Sequence, residues 1–185
     1  TLNTGAVLYS GLINGDTLTG TYSGVFNNAN VGNGKTVIIT SSYGGADLNN
    51  YTITDQASTT GNIAAKALSA TASTANKVYD GTTTATTTLT FTGLVGSETL
   101  GQTVASTFNN KNVGTGKAVT VNSITLTDGT GLATNYSISP GQTTTANITA
   151  KALTVSGITA SNKTYDANTT ATLNAGSVAY TGKIN

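Results

Sequence analysis

The sequence predicts an all-β protein made of tandem Ig-like β-sandwich repeats of about 85 residues each. Short runs alternate apolar with polar residues, as half-buried strands do, and clusters of Gly, Asn and Asp separate these runs. A set of motifs also returns after 82 to 86 residues. A parallel β-helix is the alternative fold class, because Gly, Asn, Thr and Ala are common in such coils. Coils of that kind repeat every 20 to 30 residues or so, and no such shorter period is present in the chain.

The internal repeat predicts the domain organisation. Four motifs occur twice, namely FNNANVGNGK (26–35) and FNNKNVGTGK (108–117), NYTI (50–53) and NYSI (135–138), AKAL (65–68 and 150–153), and KVYDG (77–81) and KTYDA (163–167). The shifts predict the later two-thirds of one repeat at residues 1–67, a complete repeat at 68–152 and the opening third of a further repeat at 153–185. The distance between the two copies of a motif varies from 82 to 86 residues because small loop insertions lie between the matched strands.

A longer period is also present. TLNTGAVLYSGLIN (1–14) and TLNAGSVAYTGKIN (172–185) are identical at nine of fourteen positions, at a shift of 171 residues. The first and third segments are therefore expected to be one repeat type and the middle segment another. With no initiator Met and no signal peptide, the chain looks like an internal piece of an alternating array that continues beyond both ends.

Within the complete repeat, the first long strand is expected over residues 82–92. Ala85, Leu89 and Phe91 share one face of this run. The opposite face is a row of threonines, Thr82, Thr84, Thr86, Thr88, Thr90 and Thr92. Flat Thr rows can bind ice or pack laterally, but Thr is also a β-branched residue that favours strands. We prefer this second interpretation.

The following strands are expected at residues 100–108 and 119–126. Leu100, Val104 and Phe108 share one face of the first. The corresponding residues of the first segment are Leu18, Tyr22 and Phe26. In the second strand, Val119 and Val121 alternate, and Ile124 and Leu126 then continue in the opposite phase, which predicts a β-bulge or bend near Asn122 and Ser123. Shorter strands are expected around Tyr136 and Ile138, around Ala146, Ile148 and Ala150, and at Leu153 and Val155.

A tyrosine begins a late strand in each of the first two segments, directly after a tight corner. These are Tyr51 and Tyr136. The arrangement is similar to a tyrosine corner, in which the hydroxyl group returns to upstream backbone. The alternative is a strand-opening tyrosine that simply packs on the core.

The joint between repeats at residues 148–155 contains no Gly and no Pro. The last strand of one domain is thus expected to run almost directly into the first strand of the next. Such a joint has little slack, unlike a Gly/Ser linker, and it predicts a fairly stiff string of domains.

Composition excludes whole classes of chemistry. Thr, Ala, Gly, Asn and Ser occupy 120 of 185 positions, and Leu, Ile, Val and Phe occupy only 38, so any core is thin. Without His or Cys there is no Ser-His-Asp triad, no Cys nucleophile, no disulfide and no ordinary zinc site. The eight cations are scattered lysines, which argues against nucleic acid as a partner. Apolar runs of four residues or fewer predict no membrane span.

The motifs together resemble a known family. NKVYDGTTTAT, FNNKNVGTGK, NYSI and ITAKALTV are similar to the YDG-type repeats of large bacterial secreted adhesins, which include filamentous-haemagglutinin-like surface repeat proteins. The third segment departs from the signature, with Ala167 in place of Gly. The resemblance implies an extracellular, cell-surface location and a stalk or fibre role, and it supplies no catalytic residues.

We therefore predict that the chain is not an enzyme and that it has no catalytic, cofactor-binding or metal-binding residues. Nearly all of the seven acids are expected in turns, where Asp usually accepts local backbone N–H groups. The joints carry Lys66 and Lys151 rather than acids that could bind calcium. We expect Lys77 and Lys163 to bond to turn carbonyls. A Lys–Asn isopeptide crosslink would need a nearby acid, and Glu98 is the sole Glu. The expected partners are adjacent repeats or neighbouring subunits of a fibre, and the alternative function is a module that binds carbohydrate or a host protein.

Overall fold

The computed structural model describes residues 9–184, and these residues form strands, turns and no α-helix. The all-β prediction is therefore confirmed. The described residues divide into a first unit (9–67 and 129–137) and a second unit (68–128 and 138–184). The division into three repeat segments remains a prediction, and residues 1–8 and 185 of the matching end segments lie outside the described residues. No helix within 9–184 is long and apolar enough to cross a membrane.

Most of the strands are short, as the spacing of the turns predicts, but two of them have 13 and 15 residues. In chain order they are β1 (Thr19–Phe26), β2 (Gly32–Gly44), β3 (Ser58–Ile63), β4 (Lys66–Ala67), β5 (Ser69–Thr74), β6 (Lys77–Val78), β7 (Thr84–Ala85), β8 (Thr87–Thr92), β9 (Leu100–Phe108), β10 (Gly114–Asp128), β11 (Tyr136–Ser137), β12 (Thr143–Thr149), β13 (Thr154–Ser156), β14 (Thr159–Ala160), β15 (Leu173–Asn174) and β16 (Ala179–Thr181). Single 3-10 turns at Leu48–Asn50 and Ala133–Asn135 precede the two predicted corner tyrosines.

The first unit contains a three-stranded antiparallel sheet in the order β1-β2-β3. Phe26 lies opposite Val37 in this sheet, and Val37 is buried. β4 and β11 form a short parallel pair in the same unit. The Asn135 side chain accepts a hydrogen bond from the Val31 N–H at 2.9 Å and donates one to the Asn30 side chain at 3.1 Å. Through these bonds an amide side chain holds the loop that precedes β2.

The second unit contains the better-developed core. Its main sheet has the order β6-β12-β10-β9-β7, with β6 parallel to β12 and the other neighbours antiparallel. The buried cluster on this sheet consists of Ala85, Phe108, Val119, Ala146 and Ile148, with Tyr79 packed against it. Alternate residues of each strand face this cluster, because side chains of a strand point to opposite faces in turn.

The predicted slip in β10 is confirmed as a β-bulge. Val121 lies opposite Ser106, whereas Ser123 lies opposite Ala105, so Asn122 is the extra residue. The Asn122 side chain donates to the Thr107 hydroxyl at 3.0 Å. Because the extra residue compensates for the change of phase in the sequence, Ile124 and Leu126 lie on the same face of the sheet as Val119 and Val121.

The single strand predicted over residues 82–92 is wrong in one respect, because the chain changes sheets at Thr86. β7 pairs with β9, whereas β8 pairs with β5. At the crossover, the buried Ser106 hydroxyl donates to the Ala85 carbonyl at 3.0 Å and shares a 2.7 Å hydrogen bond with the Thr87 hydroxyl. This network satisfies polar groups that a continuous apolar face would leave buried without partners. The threonines that β8 exposes are Thr88, Thr90 and Thr92.

The β5–β8 pair forms a second layer that contacts β12 and β9 of the main sheet. The Gln102 side chain joins the layers, since its amide donates to the Leu89 carbonyl at 2.7 Å and accepts from the Leu89 N–H at 3.0 Å. The long pairings of the described residues are antiparallel, and the two parallel ones span two residue pairs each. This pattern disfavours the parallel β-helix, and the tandem Ig-like assignment remains a prediction.

Candidate functional site

The YDG motif forms a loop that closes on one lysine. The Lys77 amine donates to the Asp80 carboxylate at 2.8 Å and to the carbonyls of Thr82 and Thr84 at 3.0 and 2.9 Å. The Asp80 carboxylate also accepts the N–H and the hydroxyl of Thr82, each at 2.9 Å. Gly81 has φ +80°, a conformation that glycine adopts at little cost. The expectation that Lys77 bonds to turn carbonyls is confirmed.

The same loop recurs in the third segment although its glycine is replaced. The Lys163 amine donates to the Asp166 carboxylate at 2.7 Å and to the Asn168 carbonyl at 2.8 Å. Ala167 keeps the left-handed conformation with φ +61°. A left-handed backbone costs an L-residue roughly 1–2 kcal/mol, so the lysine-centred hydrogen bonds hold the loop against this local preference.

The lysine next to Asp80 changes the acidity of that carboxyl group. The hydrogen bond from Lys77, followed by those from Thr82, lowers the pKa of Asp80 to about 2. The hydrogen bond from Lys163 likewise lowers the pKa of Asp166. Both carboxyl groups therefore remain ionised in mildly acidic solution and continue to accept their loop hydrogen bonds.

We expect a carboxyl-carbon NMR titration to give Asp80 a pKa of about 2, and Lys77→Met to move it up toward the ordinary value of 3.8. Because the pKa of Asp80 is lower in the folded state, the stabilisation from this group is complete above about pH 3.8 and is lost as the pH falls toward 2. Lys111→Met is the control, since Lys111 lies on an exposed turn of the same unit. An unchanged Asp80 titration in Lys77→Met would contradict this account.

The second repeated motif, FNNxNVGxGK, forms another loop of the same kind. In the first unit, the Lys35 amine donates to the Asn28 side chain and to the Asn30 carbonyl, the latter at 2.6 Å. The Asn28 side chain also accepts the N–H of Asn30 at 3.1 Å. The N–H of Gly34, where φ is +61°, donates to the Asn62 side chain on β3 at 2.8 Å.

The second unit repeats these contacts. The Lys117 amine donates to the Asn110 side chain at 2.6 Å, and that side chain accepts the Asn112 N–H at 3.0 Å. The Gly116 N–H donates to the Asn147 side chain on β12 at 2.8 Å. The likeness of the two motifs thus reflects loop closure, because equivalent hydrogen bonds are made by Asn28 and Asn110, by Gly34 and Gly116, and by Lys35 and Lys117.

An aromatic cluster in the first unit was not predicted. The hydroxyls of Tyr9 and Tyr22 share a 2.7 Å hydrogen bond, and both rings meet Tyr43 edge-on, with centroids 6.4 and 6.1 Å away. The Tyr43 hydroxyl donates to the Asp55 carboxylate. Gly20 lies beneath the cluster, where a Cβ would come within 2.3 Å of the Tyr22 hydroxyl. Only the tyrosine content signalled this cluster, because Tyr22 and Tyr43 lie on different strands and Tyr9 lies in the segment before β1.

The contacts within the cluster weaken the acidity of its phenols. The hydrogen bond with Tyr9, then burial and neighbouring charge, raises the pKa of Tyr22 to about 12. The hydrogen bond to Asp55 raises the pKa of Tyr43. A raised pKa means that folding favours the neutral phenol, so this stabilisation is present below about pH 10 and is lost as the pH rises toward 12.

Replacement of Tyr9 with Phe is expected to lower the pKa of Tyr22 from about 12 toward 10.0, because the hydrogen-bonding hydroxyl is removed. An alkaline titration of the ring carbon shift of Tyr22 by NMR measures the change. Tyr165→Phe serves as the control, since Tyr165 is exposed and lies in the other unit. An unchanged pKa of Tyr22 in Tyr9→Phe would show that the hydrogen bond with Tyr9 does not raise the pKa of Tyr22.

The corner tyrosine of the first unit bonds further upstream than expected. The Tyr51 hydroxyl accepts the Ile13 N–H at 3.0 Å and donates to the Asp16 carboxylate at 2.6 Å. The predicted hydrogen bond between the tyrosine hydroxyl and upstream backbone is confirmed. The backbone group belongs to the segment before β1, however, and not to the corner itself. The hydrogen bond to Asp16 raises the pKa of Tyr51. Tyr136 is buried, as expected of a strand-opening residue that packs on a core.

The acids of residues 9–184 lie dispersed in turns and loops, apart from Asp128 at the end of β10. Asp47 accepts the Thr17 N–H at 2.8 Å, as turn carboxylates commonly do. Within 9–184, no three acidic, His or Cys side chains come together in a way that could hold a metal ion. The charged groups that the structure does bring together, Lys77 with Asp80 and Lys163 with Asp166, close loops.

The loops closed by Lys35, Lys77 and Lys117 lie within stretches of the sequence that match the model of a known protein family. Residues 1–60 and 64–146 match the model of the YDG domain family. No curated protein and no solved structure shows a significant match to the chain. The two matched stretches cover most of the sequence and include the lysine-closed YDG loop at Lys77, and the chain therefore belongs to the YDG domain family.

Proposed function

We propose that the chain is a structural repeat segment of an extracellular bacterial fibre or adhesin stalk, which supplies length and stiffness through successive β domains. The observation that carries this proposal is the repetition of the same lysine-closed loops in successive segments. Lys77 and Lys163 make equivalent contacts, and so do Lys35 and Lys117. The repeated motifs thus give successive segments the same loop conformations, as expected for the structural units of a repeat array.

The distribution of residue types supports the same role. The largest fully buried side chains of the described residues are only Ile148, Val119 and Val121, whereas β8 exposes threonines along its outer face. Hydrogen-bonded loops at the strand ends add order that such a small core cannot supply by itself. A domain of this kind stays soluble and ordered at the cell surface without disulfides.

The cellular part of the proposal rests on the resemblance of the motifs to secreted adhesin repeats. It is tested by immunogold electron microscopy of the producing cells with an antibody against this chain. We expect gold particles in rows that extend from the surface of intact cells. Labelling that appears only after permeabilisation would overturn the extracellular location, and antibody absorbed with the purified chain is the control.

The second candidate function is a module that binds carbohydrate or a host protein. The cluster of Tyr9, Tyr22 and Tyr43 with Asp55 favours it, because aromatic faces beside a carboxylate can recognise sugars. A glycan array of the purified chain tests this function. Reproducible binding that Tyr43→Ala removes and Tyr165→Ala retains would support it, and an array without binding would favour the purely structural role.

A further inference from the structure

The sequence contains two Asn-Gly pairs, Asn14-Gly15 and Asn33-Gly34. In such a pair the backbone nitrogen of the glycine can attack the side-chain carbon Cγ of the asparagine before it, because glycine has no side chain to shield that nitrogen. Both asparagines are exposed to water. Exposure therefore does not distinguish the two pairs, and the difference between them lies in the backbone around each glycine nitrogen.

The first pair lies in a turn of the segment before β1. The Asp16 N–H donates to the Ile13 carbonyl at 3.1 Å, and the Asn-Gly pair lies between these two residues. Gly15 has φ +100°, and nothing lies within 4 Å of the position that an added Cβ would occupy. Among residues 9–184, no group accepts a hydrogen bond from the Gly15 N–H. Apart from the turn itself, nothing in the described part of the chain therefore restrains this nitrogen.

The second pair is held within the sheet β1-β2-β3. The register of β2 against β3 shifts after Gly32, so Asn33 and Gly34 lie in a β-bulge. The Gly34 N–H donates to the Asn62 side chain on β3 at 2.8 Å. The Gly34 nitrogen can attack the Asn33 side chain only while this hydrogen bond is open, and local opening of a paired strand is infrequent. The sheet therefore keeps this nitrogen away from the reaction for most of the time.

The second unit contains the same bulge without the reactive residue. The Gly116 N–H donates to the Asn147 side chain at 2.8 Å, but the residue before Gly116 is Thr115. A threonine side chain has no carbonyl carbon that the glycine nitrogen could attack. The hydrogen bond from the bulge glycine is thus a property of the loop, and in the first unit it also covers a nitrogen that follows an asparagine.

We propose that Asn14 is a site of spontaneous deamidation and that Asn62 protects Asn33 from the same reaction. The Gly15 nitrogen loses its proton and forms a bond to the Asn14 Cγ, the bond between Cγ and Nδ2 breaks, and the side-chain nitrogen leaves as ammonia. A water molecule then opens the succinimide ring at either carbonyl, which gives aspartate or isoaspartate. No group is oxidised or reduced. This inference goes beyond the proposed fibre function and does not depend on it.

Deamidation of Asn14 changes a turn that a tyrosine holds in place. The Tyr51 hydroxyl accepts the Ile13 N–H at 3.0 Å and donates to the Asp16 carboxylate at 2.6 Å. Either product adds a negative charge close to Asp16, and isoaspartate also lengthens the backbone between Ile13 and Asp16 by a methylene group. The modification is therefore expected to loosen the contact of Tyr51 with the segment before β1.

Peptide mapping by mass spectrometry tests the proposal on the full chain. The folded protein is incubated in mildly alkaline buffer and digested at acidic pH, and the conversion of each asparagine to its acid is followed with time. We expect Asn14 to convert about fivefold or more faster than Asn33, because the Gly34 hydrogen bond has to open first. In guanidinium chloride the two rates should become similar. Equal rates in the folded chain, or a difference that persists in guanidinium chloride, would overturn the proposal.

Replacement of Asn62 separates protection by the hydrogen bond from the effect of the local sequence. Asn62 is exposed, so its truncation opens no core. Asn62→Ala should raise the deamidation rate of Asn33 about fivefold or more and leave that of Asn14 unchanged. Asn62→Asp keeps an acceptor oxygen and should restore the slow rate, and Asn147→Ala is the matched control in the second unit. An Asn33 rate in Asn62→Ala equal to that of the Asn147→Ala control would overturn the protective role.

Discussion

Replacement of Ile148 with Ala is expected to lower the free energy of unfolding of the second unit by about 2–5 kcal/mol. Ile148 is 1% exposed and lies on β12 in the cluster with Phe108 and Val119. Truncation to Ala removes buried methyl and methylene groups and leaves a cavity that neighbouring strands can close only in part. Urea denaturation of the full chain, followed at low protein concentration, measures the loss.

The matched control is Ile158→Ala in the same unit. Ile158 is 52% exposed, so the same truncation should change the free energy of unfolding by no more than about 0.5 kcal/mol. The thin core makes the contrast large, because few other buried side chains can compensate. A loss below about 1 kcal/mol for Ile148→Ala would show that stability resides mainly outside this cluster.

Replacement of Gly45 with Ala is expected to destabilise the first unit by about 2–5 kcal/mol. Gly45 follows β2 with φ +119°, a conformation that L-residues rarely adopt. An added Cβ would lie 2.3 Å from the Thr17 carbonyl oxygen and 3.0 Å from the Leu18 Cα. These are backbone atoms, so no side-chain rotation can relieve the contact, and the segment before β1 has to move. Thermal or urea unfolding of the first unit measures the effect.

Gly34→Ala separates backbone strain from steric clash. Gly34 has φ +61°, but nothing lies within 4 Å of the position that an added Cβ would occupy. We expect only the conformational cost of roughly 1–2 kcal/mol. Equal losses in the two variants would mean that the contact of Gly45 with Thr17 contributes nothing beyond the strain.

The sequence predicted those features that are set by residues close together along the chain. The alternation in residues 100–108 corresponds to β9, and the change of phase after Val121 corresponds to the bulge at Asn122. The lysine contacts with turn carbonyls were predictable for the same reason, because Lys77 and Thr82 are only five residues apart. Short-range spacing restricts such contacts before any tertiary structure forms.

The break at Thr86 and the tyrosine cluster could not be predicted in this way. Thr86 continues a regular alternation, and only the pairing of β7 with β9 and of β8 with β5 divides the run. Tyr22 and Tyr43 come together because β1 pairs with β2, and Tyr9 reaches them from the segment before β1. The hydroxyl partner of Tyr51 lies 38 residues upstream for a similar reason.

The sequence by itself determined the all-β class, the repeat with its two loop motifs and the absence of His and Cys chemistry. These properties follow from residue type and local spacing. Only the tertiary structure decided which strands pair, which apolar residues are covered and which tyrosines share hydrogen bonds. Leu68 and Leu153 occupy equivalent sequence positions, yet one is buried and the other exposed. Burial depends on the strands that pack against a residue, and those strands lie far away along the chain.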